Sequence, residues 1–158
     1  MPETITTASE MLRGHGFTGE VRALPVDVPT AAAAASQLGC PVGAIANSLV
    51  FSAGGRPVLV LTSGAHRVDT RRLAALLGVG RGQIRSASPE FVLAVTGQVA
   101  GGVAPVGHPE AITTFIDRWL GRHPQVWAGA GQPHLVFRTT FAELAKVTGG
   151  EPAEVGTE

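Results

Sequence analysis

Cysteine, lysine and long apolar runs are all scarce in this sequence. Cys40 is the only cysteine and Lys146 the only lysine, so an internal disulfide is excluded and no thiolate cluster for structural zinc is expected. No apolar run reaches the roughly 18 residues of a membrane-spanning helix. The segment Met1-Pro2-Glu3-Thr4 has neither the basic residues nor the apolar core of a signal peptide. We therefore expect a soluble cytoplasmic protein with no membrane contact.

The rest of the composition is typical of one compact domain. The chain has 158 residues, of which 44% are hydrophobic and 15% charged. This length suffices to bury one continuous core but not two independent ones. We therefore expect a single domain at residues 1–150, followed by an acidic tail at residues 151–158.

Charge is balanced overall but uneven along the chain. The formal net charge is zero, which argues against a protein that coats nucleic acid by charge alone. The stretch from Arg56 to Arg85 nevertheless holds six arginines and a single acid, Asp69. This pattern fits a local basic face, and it fits equally well a solvated helix surface in an arginine-rich protein.

Hydrophobic periodicity and turn residues predict helices mixed with short strands. Helices are expected at 7–15, at 30–39 behind the cap Thr30, at 69–77, from Ser88 onward, and from Thr140 to the glycines at 149–150. Strands are expected at 21–25, 45–51, 58–62, 84–87, 112–116, 126–128 and 135–138, with a glycine hairpin turn at 52–55. The pattern predicts an α/β domain of the α+β type, with a mixed, largely antiparallel sheet and flanking helices.

The glycine-rich segment at 97–107 is the strongest local candidate for a functional loop. It contains Gly97, Gly101, Gly102 and Gly107, too many glycines for a regular element. It lacks the Gly-Lys-Ser/Thr ending of a phosphate-binding loop. Glycine allows backbone amides to approach a ligand closely, and such amides can stabilise the oxyanion of an attacked ester. A purely structural turn is the alternative.

Several short motifs occur in an order that resembles one known family. They are Thr30-Ala31, Leu38-Gly39, Ile45-Ala46-Asn47-Ser48-Leu49-Val50-Phe51, Val68-Asp69, Ala87-Ser88-Pro89-Glu90 and the Gly-Gly-Val-x-Pro-x-Gly loop at 101–107. From about Thr6 to Gly149 the chain resembles the YbaK and prolyl-tRNA editing domains. The resemblance implies a trans-acting deacylase that removes a small amino acid from mischarged tRNA, with tRNA-Pro as the expected carrier and prolyl-tRNA synthetase as an expected partner.

The resemblance also implies a mechanism without metal, cofactor or covalent nucleophile. The terminal ribose hydroxyl of the substrate helps to activate water, and amides at Gly101 and Gly102 hold the carbonyl. Asn47, the third residue assigned to catalysis, stands where the family usually has lysine, and it offers neutral hydrogen bonds in place of a charge. Gln98 and Ala100 also depart from the family, which often has an aromatic residue and a proline there.

The remaining site predictions concern substrate and RNA contacts. Substrate contacts are assigned to six residues: Thr30, Ser48, Val103, Pro105, Gly107 and Asp117. Pro105 and Gly107 would fix the loop shape, whereas Asp117 would orient the substrate amine; a surface acid paired with Arg118 or Arg122 is the alternative. RNA contacts are assigned to Arg67, Arg71 and Arg72 in the basic stretch.

Other readings of the same residues stay open. A domain of this fold that lacks the lysine could be a binding module for an aminoacyl group, an amino acid or a protein, and the loop could also serve a hydrolase of another acyl ester. His66, His108 and His134 lack metal-ligand spacing, and Cys40 has no assigned base, so it is interpreted as a small apolar residue. The sequence leaves the amino acid and the oligomeric state undetermined.

Overall fold

A computed structural model of the chain describes residues 2–25 and 30–157. Within that range the helices are α1 (Pro2–His15), α2 (Ala31–Leu38), α3 (Thr70–Leu77), α4 (Pro89–Thr96) and α5 (Phe141–Thr148). The strands are β1 (Val21–Ala23), β2 (Ile45–Ala53), β3 (Arg56–Ser63), β4 (Arg67–Val68), β5 (Ile84–Ser86), β6 (Thr113–Asp117), β7 (Val126–Gly129), β8 (Leu135–Thr139), β9 (Glu151–Ala153) and β10 (Gly156–Thr157). Short 3-10 helices lie at Val42–Ala44, Arg81–Gln83 and Arg118–Arg122. None of the described helices is long and apolar enough to cross a membrane.

The predicted helix ends are confirmed by their capping geometry. Thr30, Asp69, Ser88 and Thr140 each accept a hydrogen bond from a first-turn amide, and the helices that follow them end at a left-handed glycine. These caps satisfy backbone groups that a helix end leaves unpaired. Helix α1 begins at Pro2, five residues before the predicted start at Thr7. Ile5 packs against the core and so extends the apolar stripe of Ala8 and Leu12 by one turn.

Eight strands form one mixed sheet, as predicted. Seven follow the order β1-β8-β7-β2-β3-β6-β9, and β5 pairs separately with β2. Pairs β1–β8, β7–β8, β2–β3 and β2–β5 are antiparallel, whereas β2–β7, β3–β6 and β6–β9 are parallel. The β2–β3 hairpin turns at Gly54 and Gly55, whose φ angles are 60° and 91°. Positive φ at both central residues is the requirement of a type I′ hairpin turn.

Helices cover both faces of the sheet. On one face, Leu59, Leu61 and Ile116 pack in a cluster with side chains of α1, α4 and α5. On the other face, Val60 and Phe115 pack with α3, and a smaller cluster joins Ile45 and Trp127 to α2. Because successive residues of a strand point to opposite faces, β3 is buried on both sides. Asn47 lies between Ile45 and Leu49 and therefore faces the same side as α2 and α3.

The segment after α5 contains two strands that the sequence analysis did not predict. Strand β9 pairs in parallel with β6 at the sheet edge, and β10 pairs with β4 in a separate two-stranded ribbon. Pro152 is compatible with β9 because an edge strand has one side without pairing requirements. Strand β9 is three residues long and β10 is two residues long, and both are too short to give an alternating hydrophobic pattern.

Candidate functional site

A cleft opens where β2 separates from β7. The two strands pair only at Ile45 and Ala46, and β5 joins the same edge of β2 only from Phe51 onward. The cleft has a volume of about 410 Å³ and lies between β2, β7, β8, α2 and the glycine loop. We call it the β2–β7 cleft.

Five predicted site residues line the β2–β7 cleft. They are Thr30, Asn47, Ser48, Gly101 and Val103. Residues from three distant parts of the sequence thus meet because α2, β2 and the loop border the same gap. Among the described residues the Asn47 carboxamide has no hydrogen-bond partner, so both its donors and its acceptor are available to a ligand.

The backbone of Ser48 faces the gap without a strand partner. The Ile45 carbonyl accepts from Gly64 beyond the end of β3, and the Val50 carbonyl accepts from Ala87 on the opposite edge of β2. Alternate residues of a strand direct their backbone groups to the same edge, so Ser48 points to the edge that Val50 uses. The Ser48 hydroxyl is also buried with no partner among the described residues. The peptide edge at Ser48 can therefore bind polar atoms of a ligand.

A second polar side chain lies behind Asn47. Thr62 is directly opposite Asn47 in the β2–β3 register and is 1% exposed. Its hydroxyl oxygen has no hydrogen-bond partner in the described part of the chain. Cross-strand neighbours on one face lie close enough for their side chains to interact, so the Thr62 hydroxyl is a second polar group beside the Asn47 carboxamide.

The two central glycines of the loop have different roles. The Gly102 N–H donates to the Val99 carbonyl at 3.0 Å, which closes a turn with Gly101 at φ 90°. The Gly102 carbonyl accepts from Gly131 at 2.9 Å, and a Cβ at Gly102 would lie 2.5 Å from the backbone of Gln132 and Pro133. Gly102 therefore allows a close backbone approach, and its amide is already used.

This geometry revises the predicted pair of oxyanion donors. Among the described residues, no acceptor is found for the backbone N–H of Gly101 or of Val103, and both residues line the cleft. Gly101 remains a candidate donor, whereas Val103, which was assigned a general substrate contact, replaces Gly102 in that role. The sequence could not reveal this, because the Gly102 bond to Val99 depends on how the turn folds.

The side chain of Gln98 holds the shape of the glycine loop. Its side-chain amide donates to the Val106 carbonyl at 3.0 Å, and its side-chain oxygen accepts from the Ala104 N–H at 2.7 Å. The carboxamide thus connects two points of the loop. Pro105 and Gly107, which were assigned substrate contacts, do not line the β2–β7 cleft; Gly107 has φ 87° and packs beside Gln98.

Comparison with known proteins identifies the family. The model of the aminoacyl-tRNA editing domain matches residues 26–147. The chain belongs to the aminoacyl-tRNA editing domain family. A solved structure described as a candidate trans-editing enzyme for prolyl tRNA synthetase is 36% identical, with a TM-score of 0.90, and the match covers 98% of each chain.

Two curated relatives differ in how much of their length the match covers. A proline–tRNA ligase of Bacillus licheniformis is 32% identical over 139 residues, which cover 82% of this chain and 24% of the ligase. The Bacillus subtilis protein YwhH is 29% identical over 72% of this chain and 71% of its own length. The chain thus spans about a quarter of the length of that ligase.

His134 lines the β2–β7 cleft of this editing domain, although the sequence analysis considered it only as a metal ligand. It is the one non-glycine residue with positive φ, 69°, in the described part of the chain. Its carbonyl accepts from the Leu24 N–H at 2.7 Å. A strained non-glycine residue at a cleft is a signal of function, but it becomes visible only in the structure. No cluster of potential metal ligands is found among the described residues.

Asp117 lies outside the β2–β7 cleft. Its carboxylate is 2% exposed and accepts from the Ser63 N–H at 3.1 Å, the Trp119 N–H at 3.0 Å and His66 Nδ1 at 2.7 Å. This differs from the predicted contact with the substrate amine, and also from the alternative of a surface pair with arginine. A carboxylate on a buried strand end is satisfied by nearby amides, so here it fixes the turn between β3 and β4.

The arginines predicted to contact RNA lie near one another on α3 and β4 and do not line the β2–β7 cleft. Arg71 and Arg72 are in the first turn of α3, and Arg67 is on β4 opposite Thr157 of β10. Arg72 is held by the Gly156 carbonyl at 3.2 Å. All three residues lie away from the β2–β7 cleft, so a role in binding RNA would be separate from ester chemistry.

Proposed function

We propose that this editing domain hydrolyses the ester between a small amino acid and the terminal adenosine of a mischarged tRNA, in trans and without a metal. The observation that carries the proposal is the β2–β7 cleft itself. It places the unpaired peptide edge of Ser48, the carboxamide of Asn47 and the amides of Gly101 and Val103 around one space.

The chemistry follows from which groups face the ester. Water attacks the aminoacyl carbonyl, and the negative charge that develops on oxygen is stabilised by the N–H groups of Gly101 and Val103. The terminal ribose hydroxyl of the substrate assists the water, as the family resemblance implies. When the tetrahedral intermediate collapses, the ester bond breaks and the ribose oxygen leaves with a proton.

The other groups of the cleft orient the substrate. The Ser48 carbonyl accepts from the α-ammonium of the amino acid, and the Asn47 amide donates to the carbonyl or to a phosphate oxygen. His134, at the mouth of the cleft, contacts the terminal nucleotide. Correct placement of reacting groups contributes much of the rate of such reactions, since no covalent nucleophile is used.

Similarity to proline–tRNA ligase supports tRNA-Pro as the carrier and prolyl-tRNA synthetase as the partner that releases the mischarged product. Such a reaction belongs to the cytoplasm, where translation occurs. The domain would act on product that has left the synthetase, in line with its similarity to the solved structure described as a candidate trans-editing enzyme.

Substitutions at Asn47 test the proposal. Asn47→Ala removes a hydrogen-bonding side chain from the cleft and should lower deacylation roughly tenfold, the effect of one neutral hydrogen bond of about 1–1.5 kcal/mol. Asn47→Lys should raise turnover of at least one tRNA by adding a fixed cation. The assay is hydrolysis of tRNA charged with alanine, cysteine, serine or proline. Gln83→Ala, which removes an exposed carboxamide outside the cleft, is the matched control.

A second candidate function is a binding module of the same fold. The neutral Asn47 in the position of the family lysine favours it. If no charged tRNA is hydrolysed, if Asn47→Ala changes neither binding nor turnover, and if Asn47→Lys gains nothing, the deacylase proposal is refuted. Specific binding of an aminoacyl group would then support the module.

A further inference from the structure

A second cleft, rich in arginine, lies beyond Asp117. It has a volume of about 630 Å³ and is bordered by α3, the 3-10 helix at 118–122 and the β4–β10 ribbon. Its charged and aromatic lining consists of Arg72, Arg118, Arg122, Trp119, His66, Asp117 and Glu154. We call it the arginine cleft.

Positive charges outnumber negative ones in this cleft. Among the described residues, no carboxylate lies within salt-bridge distance of Arg118 or Arg122. Arg72 is only loosely paired, at 3.7 Å from Asp69. Three guanidinium groups therefore face two lining carboxylates, Glu154 and the buried Asp117. Such an excess of one sign attracts an anionic ligand.

Trp119 gives the cleft a platform suited to planar groups. The Arg122 guanidinium lies over its ring, with 3.6 Å from Cζ to the ring centroid, and the His66 ring lies at 5.0 Å on a tilted plane. Stacking holds the guanidinium in a fixed orientation, so less side-chain freedom is lost when it binds phosphate. Arginine and aromatic side chains together are the usual means of binding RNA strands.

The arginine cleft is close to the β2–β7 cleft. Asn47 pairs with Thr62 across β2 and β3. Leu61 pairs with Ile116 across β3 and β6, so Asp117, the next residue of β6, lies beside Thr62. Two strand spacings amount to about 10 Å. One RNA end can therefore place its terminal ester in the β2–β7 cleft and its phosphate backbone along the arginine cleft.

We propose that the arginine cleft binds the phosphate backbone of the tRNA substrate, with Arg118 and Arg122 as contacts that the basic-stretch prediction did not include. The identity of the RNA as the tRNA substrate rests on the proposed function, whereas the location of the binding site rests on the residues that line the arginine cleft. Arg67 extends the basic rim, since it lies opposite Thr157, which also lines the cleft.

The test uses uncharged tRNA, so binding is measured apart from hydrolysis. The Arg118→Ala/Arg122→Ala double variant should bind tRNA roughly tenfold more weakly, and the slope of log affinity against log salt should fall by about 1.4–1.8, the sum for two phosphate contacts. The control is Arg56→Ala/Arg81→Ala, which removes the same charge from exposed residues that line neither cleft. Its slope and affinity should stay near those of the natural protein.

Single variants keep the test informative if the double variant is unstable. Arg118 is exposed and makes no side-chain hydrogen bond or ion pair among the described residues, so Arg118→Ala should fold normally and still lower the slope by about 0.7–0.9. The tRNA-induced change in tryptophan fluorescence should be smaller in Trp119→Phe than in the natural protein, and Trp127, which lines the β2–β7 cleft, accounts for the remainder. An unchanged slope in Arg118→Ala, or an unchanged signal in Trp119→Phe, overturns the proposal.

Competition and a short substrate separate the remaining outcomes. Inorganic phosphate or adenosine monophosphate that displaces tRNA at equal phosphate concentration would show a small-anion site, and polyglutamate that competes equally well would show a protein surface; either result overturns the proposal. Arg118→Ala should slow hydrolysis of charged tRNA more than hydrolysis of an aminoacyl-adenosine, which lacks the RNA body. The natural protein could bind tRNA and hydrolyse no ester, while the arginine variants lose tRNA binding. That result would refute the deacylase function and support the arginine cleft as an RNA-binding site.

Discussion

Alanine at Gly101 and at Gly102 should have clearly different effects, although the residues are neighbours in one loop. A Cβ at Gly101 meets nothing within 4 Å, so Gly101→Ala introduces only the strain of φ 90°. A Cβ at Gly102 would lie 2.5 Å from two backbone atoms of Gln132 and Pro133. Backbone atoms cannot rotate away as a side chain can, so Gly102→Ala must displace the loop.

The structure allows the two penalties to be estimated. An L-residue held in the left-handed region costs about 1–2 kcal/mol. Gly101→Ala should therefore lower the free energy of unfolding by this amount and no more. For Gly102→Ala, overpacking contributes about 1–3 kcal/mol, and displacement breaks the bond from the Gly131 N–H to the Gly102 carbonyl, worth about 1 kcal/mol. The sum is roughly 2–4 kcal/mol. The unfolded-state effect of alanine is common to both variants and cancels in the comparison.

Urea unfolding of both variants measures this difference, and deacylation measured well below the unfolding midpoint reports on the loop. Gly102→Ala should lose more stability and most of its activity, because the amides of Gly101 and Val103 move with the loop. Gly101→Ala keeps its N–H and should lose less of both. Equal free energies of unfolding, or a more stable Gly102→Ala, would refute the close approach of the loop to residues 132–133.

Two further predictions concern the supports of the same loop. Gln98→Ala removes the bonds to Ala104 and Val106 and should lower the free energy of unfolding by about 2 kcal/mol, measured in urea, with a fall in kcat at nearly constant KM. Burial, opposed by the bond to the Ala104 carbonyl and reinforced by the positive charge of His15, lowers the pKa of His108 from 6.5. The unfolded chain then binds the proton first, so stability is full above pH 6.5 and declines as pH falls toward the lower folded pKa. The free energy of unfolding, measured in urea at a series of pH values below 6.5, should depend less on pH in His108→Gln than in the natural protein.

The sequence predicted the elements whose signals are local. Thr30, Asp69, Ser88 and Thr140 are caps that act within one turn, so their helices are confirmed almost to the residue. Strands β9 and β10 were not predicted, because their only stabilisation comes from pairing with β6 and β4, far away in sequence. Even at Thr140 the local signal was incomplete. The spacing of Thr140 and Glu143 is that of a capping box. Thr140 accepts from the Glu143 N–H, but the Glu143 carboxylate accepts from the Thr139 hydroxyl at 2.6 Å, so the box is not completed.

The candidate site was predictable to the extent that motif order identifies the family. Asn47 and Gly101 line one cleft, and their catalytic roles stay predictions. The actual hydrogen-bond partners of Gly102 and Asp117 could not be predicted, since both depend on backbone groups brought near by folding. His134 was missed for the same reason. Nothing in the residues around it predicts a left-handed backbone at a cleft wall.

The neutral Asn47 and the arginine cleft together suggest a division of work between two parts of the site. A lysine at this position would combine carbonyl contact with attraction for phosphate, whereas a carboxamide supplies directed hydrogen bonds and no long-range attraction. In this chain the positive charge lies two strands away, at Arg118 and Arg122. Changes at Asn47 should therefore act mainly on kcat, since they alter how the carbonyl is held, and changes at the arginines mainly on KM and its salt dependence. If both sets of changes moved kcat and KM in the same proportion, the two clefts would have to be regarded as one binding surface.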